Sequence, residues 1–228
     1  MRTVLFFIIK WLLFCTVMSN RRRNQNLCGH KAMDGWKFFA ENMTYVLWKR
    51  NYHVSGGLNN TMCVKAPFQP TLYRQTHKIQ KTFTYRNMSS THKLPNGASY
   101  WPIAKILLQF RSTTPYLSRP PQRRRNDYNY VNSTILMSWF GYYLPPPSWL
   151  FMYCDKDCAV VKVLPKEVYD EDSSRSQKHK CEQWVRVAAK NNKAIKKSAR
   201  WRRCESFYDT VCGTEISEQV YNPKLCGW

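Results

Sequence analysis

Seven short stretches rich in β-branched and aromatic residues recur along the chain, and turn-forming residues separate them. They are residues 44–52 (TYVLWKRNY), 76–85 (THKIQKTFTY), 99–110 (SYWPIAKILLQF), 133–140 (STILMSWF), 149–153 (WLFMY), 158–164 (CAVVKVL) and 181–187 (CEQWVRV). Gly56-Gly57, Pro95-Asn96-Gly97, Pro120-Pro121 and Pro145-Pro146-Pro147 mark breaks between them. Each stretch has strand length and a composition that suits a half-buried pleated surface. No helical stretches alternate with them, so the order specifies an antiparallel sandwich or barrel rather than a parallel α/β sheet.

Two helices frame the strands. Asp34 can cap a short one over 34–40, with Trp36, Phe39 and Ala40 as its apolar stripe. Between about 188 and 212 Gly and Pro vanish, and Cys204, Phe207/Tyr208 and Val211 fall at helical spacing, which predicts a helix ending at Gly213. A helix, seven or eight strands and a C-terminal helix suggest a barrel, since about eight strands close around room for one small ligand. With 228 residues, 43% of them hydrophobic and 15% aromatic, there is material for one sizeable core and no compositional signature of disorder.

The N-terminus sets the compartment. Met1-Arg2 forms a basic lead, residues 4–17 an apolar run interrupted by Lys10, and Val17 and Ser19 suit a signal-peptidase site after residue 19. The domain reading is a signal peptide at 1–19 and one domain at 20–228. Cleavage removes Cys15 and leaves eight of the nine cysteines, the even number expected of an oxidised secretory protein. Four N-x-S/T sequons, at Asn42, Asn59, Asn87 and Asn132, fit the same route. A zinc site can be drawn from Cys154, Cys158, His179 and Cys181, but in an oxidising compartment disulfides take precedence, and no metal or other cofactor is expected. No nucleophile elbow, zinc-helix or phosphate-loop motif occurs, so the chain reads as a binder and not an enzyme.

The second half runs YCDKDCAVVKVLP, KCEQWVR, FYDTVCG and VYNPKLC, and the first half holds DGWKFFAENMTYVLWKRNY followed by Cys63. In these motifs the chain, from Asp34 to Cys226, resembles the tick salivary lipocalins of the histamine-binding-protein family. The resemblance implies a lipocalin barrel of eight strands, up and down, with a short N-terminal helix and a C-terminal helix strapped to the wall. It implies disulfides Cys63–Cys226, Cys158–Cys204, Cys181–Cys212 and Cys28–Cys154. It also implies a monomeric saliva protein that evades host defence by sequestering a small mediator such as histamine, serotonin or an eicosanoid. The family's amine signature maps onto Cys158, Val160, Glu182, Trp184 and Cys204, with Ala159 where an acid is expected and Gln183 in place of Leu.

An amine pocket needs a buried carboxylate, because a desolvated ammonium is costly unless paired, and aromatic faces for cation–π contact. The candidate ligand-binding residues are Trp36, Tyr52, Tyr85, Trp101, Trp139, Glu182 and Trp184. The charge map presses against them. From residue 42 to 126 there is no acid and there are 14 Lys and Arg, within a formal net charge of +22. An amine must therefore draw on Asp34, Glu41, Asp127, Asp155, Asp157 or Glu182, whereas an anionic lipid mediator suits such a wall. A third reading uses the surface. Lys193, Lys196, Lys197, Arg200 and Arg203 recur at helical spacing beside Trp201 and suit heparan sulfate, an anionic cell surface or another extracellular polyanion.

Overall fold

The computed structural model describes residues 34–88, 101–113, 128–165, 179–187 and 198–226. The expected leader at 1–19, Cys28 and the cations Lys193, Lys196 and Lys197 lie outside them. In chain order the elements are α1 (Gly35–Ala40), β1 (Thr44–Arg50), β2 (Met62–Ala66), β3 (Thr71–Tyr73), β4 (Lys78–Arg86), β5 (Ile103–Arg111) and β6 (Tyr130–Trp139). They continue with β7 (Trp149–Cys154), β8 (Cys158–Val163), β9 (Cys181–Val187), α2 (Ala199–Cys212), β10 (Glu218–Gln219) and α3 (Pro223–Cys226).

Strands β1, β2 and β4 to β9 pair antiparallel, each with the next, and β9 returns to β1 through Thr44↔Val187 to Arg50↔Glu182. The result is a closed eight-stranded antiparallel barrel of the up-and-down kind the sequence led us to expect. Closure leaves no free edge at the β1–β9 seam. β3 is a short ribbon on β4, and β10 extends β1 where β2 leaves it. Of the barrel strands, β2 is the one the sequence pattern missed. The predicted C-terminal helix begins later than residue 188 within the described chain, at Ala199, where the Ser198 hydroxyl accepts from the Trp201 amide at 3.1 Å.

Inside and outside carry separate cores. Tyr45, Leu47, Val64, Ile79, Phe83, Ile106, Leu108, Phe110, Trp149, Phe151 and Trp184 fill the barrel with Phe38 and Phe39 of α1. On the outer wall, Val46, Val160 and Val185 pack beneath Trp201, Cys204, Tyr208 and Cys212 of α2. Helix α1 closes one end of the barrel: Asp34 caps it by accepting from Lys37 N at 3.1 Å. No side chain fits at Gly35, since a Cβ there would lie 2.2 Å from the Phe151 ring. Burial therefore falls on Gly35, Phe38 and Phe39, and Trp36, predicted for the apolar stripe, is only partly covered.

Disulfides lock the outer layer. Cys158–Cys204 and Cys181–Cys212 staple α2 to β8 and β9, and Cys63–Cys226 ties α3 to β2, the pairings that the family resemblance implies. Cys154 is also disulfide-bonded, and its expected partner Cys28 lies outside the described residues. Of the four sequon asparagines, Asn42, Asn59 and Asn132 are exposed and Asn87 is half-buried.

Candidate functional site

The end of the barrel opposite α1 holds the ends of β1, β4 and β6 and the start of β9. Here the interior turns polar. Glu182, paired in register with Arg50, is the one acidic residue in the eight described wall strands, and it is only 7% exposed. Its register neighbour on β8 is Val161, and Ala159 sits beside Trp184, one residue pair deeper. The position where the amine signature carries an acid thus faces the barrel core as an alanine.

Two aromatic donors hold the Glu182 carboxylate. The Tyr52 hydroxyl donates to Oε1, and Trp184 Nε1 donates to Oε2 at 2.9 Å. Burial pushes the Glu182 carboxyl above the usual carboxylate range, and the hydrogen bonds from Tyr52 and Trp184 and the charge of Arg50 oppose that rise. Burial, reinforced by the adjacent carboxylate, raises Tyr52 as well, so it stays a donor at physiological pH. Arg50 does not compete for Glu182 as a direct partner. Its Nε donates to Glu218 Oε2 at 2.6 Å, its Nη2 to Thr61 Oγ1 at 2.8 Å, and His53 Nδ1 meets the other Glu218 oxygen at 2.6 Å.

The loop after β6 crosses this mouth. Tyr85 donates to the Gly141 carbonyl at 3.4 Å and accepts from Tyr143 N at 3.3 Å. The Tyr143 hydroxyl reaches the carbonyls of Ser55 and Asn60 in the β1–β2 connection, each at 3.4 Å. Tyr142 stacks obliquely on Tyr85, with centroids 5.4 Å apart, and feels the Glu182 charge. Tyr52 and Trp184 thus hold the carboxylate, Tyr142 lies close enough to feel its charge, and Tyr85 joins Tyr142 to the strap.

Among solved structures, the chain is similar to Japanin from Rhipicephalus appendiculatus bound to cholesterol, at 12% identity and a TM-score of 0.45. The match covers 79% of this chain and 93% of that one. No family model matches the chain, and no curated protein does.

Of the seven sequence candidates, Tyr52, Tyr85, Glu182 and Trp184 come together at the mouth. Trp36 lies at the opposite end, edge-on to His77 at 5.3 Å and Phe110 at 5.8 Å. Trp101 packs with the outer core beneath Lys65, whose Nζ stands 4.4 Å above its ring. Trp139 is 37% exposed on the rim near Lys105. These three are not part of the mouth cluster: Trp36 is on α1, Trp101 precedes β5, and Trp139 ends β6, where a strand aromatic reads the same in sequence whichever face it takes.

Arg50, Tyr142 and Lys81 were missed. A bulge between Leu47 and Lys49 shifts the alternation, so that Arg50 joins the interior polar network while Lys49 reaches Asp209 of α2 at 2.7 Å. Lys81, 1% exposed, lies between the core residues Ile79 and Phe83 on β4. It donates to the Pro67 carbonyl at 2.9 Å and the Met43 carbonyl at 3.2 Å, and burial lowers its amine to about 7. Arg200 and Arg203, the described members of the predicted polyanion stripe, lie on α2, half-buried and exposed respectively.

Proposed function

We propose that the chain is a secreted lipocalin that sequesters a small biogenic amine, such as histamine, at the strapped mouth of its barrel. The observation that carries this is the lone carboxylate of the described wall strands, Glu182, held by Tyr52 and Trp184 with Tyr142 close enough to feel its charge. Burial favours the neutral carboxyl, the donors oppose that, and an incoming ammonium would draw out the charged form further. The surrounding rings offer electron-rich faces to the same ammonium. An anionic lipid fits less well. Lys81 is engaged by two carbonyls, Arg50 by Glu218 and Arg186 by Glu41, and the lower barrel is filled with rings.

Mechanistically the protein acts as a stoichiometric sink that lowers the free mediator below its receptor's threshold. The test is calorimetric titration of the oxidised, secreted protein with histamine. Stoichiometric binding that Glu182→Gln weakens by about 100-fold, roughly 2.7 kcal/mol, is the expected result. Binding should also fade as acid protonates Glu182, and fade sooner than an ordinary exposed carboxylate would dictate, since burial raises this one. Absence of heat with histamine and with serotonin would overturn the reading.

A further inference from the structure

Beyond the mouth, the same end of the barrel carries an apolar tip that the ligand site does not use. Leu136, Met137, Trp139 and Phe140 end β6 and begin the following turn, and they are 46%, 53%, 37% and 55% exposed. Strand β6 is paired to β7 only at Tyr130 and Val131, so its distal half stands clear of that neighbour. Phe140 and Gly141 both have positive φ, 57° and 66°, the pattern of a tight reversal that favours Gly, Asn or Asp. Left-handed backbone is unfavourable for a phenylalanine, and here the residue is 55% exposed.

The chemistry flanking the tip is cationic. Strands β1, β2, β4, β5 and β6 contain no acid, and Lys105 reaches within 5.8 Å of the Trp139 ring. Among the described residues, the carboxylates Glu182 and Glu218 at this end are buried and engaged. An apolar and aromatic tip beside Lys105 on a chain of net charge +22 is complementary to an anionic lipid surface, and like charge opposes a second copy of the chain.

We propose that the open end docks on anionic bilayers, with Met137 and Phe140 entering the headgroup region, Trp139 at the interface and Lys105 against the lipid charge. This goes beyond the amine site and does not depend on it. The experiment is co-sedimentation of the oxidised, secreted protein with phosphatidylcholine vesicles, with and without phosphatidylserine. Binding should require phosphatidylserine, fall by about tenfold or more in Phe140→Asn and again in Met137→Ser, and weaken in Lys105→Glu. Phe140→Asn suits the positive φ, so its melting temperature should hold or rise, which separates lost docking from lost folding. Three results would overturn the proposal. One is no phosphatidylserine-dependent binding. Another is binding that salt abolishes but Phe140→Asn and Met137→Ser leave unchanged. The third is a concentration-dependent dimer that Phe140→Asn dissolves.

Discussion

At the closed end of the barrel Phe39 stacks on Trp149 at 5.7 Å and meets Tyr45, Phe151 and Trp184 within 6.2 Å, ring against ring with almost no exposed surface. At the open end Tyr52 and Trp184 donate to a carboxylate, with Tyr142 near it, and the groups beside them are an arginine, a second glutamate and a histidine. Both ends are aromatic, yet they do different work. In the lower half the rings satisfy one another by area and dispersion, and the energy goes into holding the barrel shut. In the upper half Tyr52, Tyr85 and Trp184 each keep a polar atom in use, and Tyr52 and Trp184 share an acceptor, the Glu182 carboxylate. Trp184 belongs to both, with its ring in the core and its Nε1 on Glu182, and marks the boundary.

The sharpest way to break this division is at Phe39. Phe39→Ala removes the plug of the closed end and should cost about 3–5 kcal/mol of unfolding free energy, read from chemical denaturation. Amine affinity should change little so long as the protein is folded. A large loss of affinity in the folded variant would mean that the two halves are one cooperative site.

The second test works in the opposite direction. Glu182→Gln keeps the shape and removes the charge, so binding should fall about 100-fold while stability holds or rises by about 1 kcal/mol, because a buried carboxylate no longer has to be desolvated. Tyr52→Phe, which removes one donor from Glu182, should have a smaller effect, about 1 kcal/mol on affinity, and should move the acid limb of binding to higher pH. An unshifted acid limb in Tyr52→Phe would show that this hydroxyl does not hold the charged form.

How much of this was legible in the sequence differs between the halves for a physical reason. The strand at 181–187 was read with its true bounds, and with it Glu182 and Trp184, because alternation and flanking polar residues are local signals. Met62–Ala66 went unread: five residues with one lysine gain their strand identity from β1 and β4, not from their own pattern. The bulges between Leu47 and Lys49 and between Lys105 and Ile106 break the two-residue period, and a one-residue slip exchanges faces. That is why Arg50 was not placed inside, and why Trp101 and Trp139 could not be told apart from Tyr85. Tyr142 sits in a loop, where no periodicity points inward at all.

Lys81 gives the smallest and most specific test, since it places a cation in the apolar half where the comparison predicts none. It lies over the Tyr45 ring at 4.9 Å and bonds only carbonyls, with Arg186 and Glu41 paired to each other nearby. Burial holds its amine at about 7, below its usual 10.5. The unfolded chain therefore binds a proton that the native state has lost between about pH 7 and pH 10.5, so this residue makes stability rise with pH across that window. Below pH 7 both states are protonated and the full cost of burying the charge is felt. Lys81→Met should then stabilise the protein by about 2 kcal/mol at pH 6, and the gain should shrink by pH 9, as measured by denaturation at the two values. A variant that is less stable than the parent at pH 6 would mean that the two carbonyl bonds outweigh desolvation, and that the lower half depends on Lys81 as the upper half depends on Glu182.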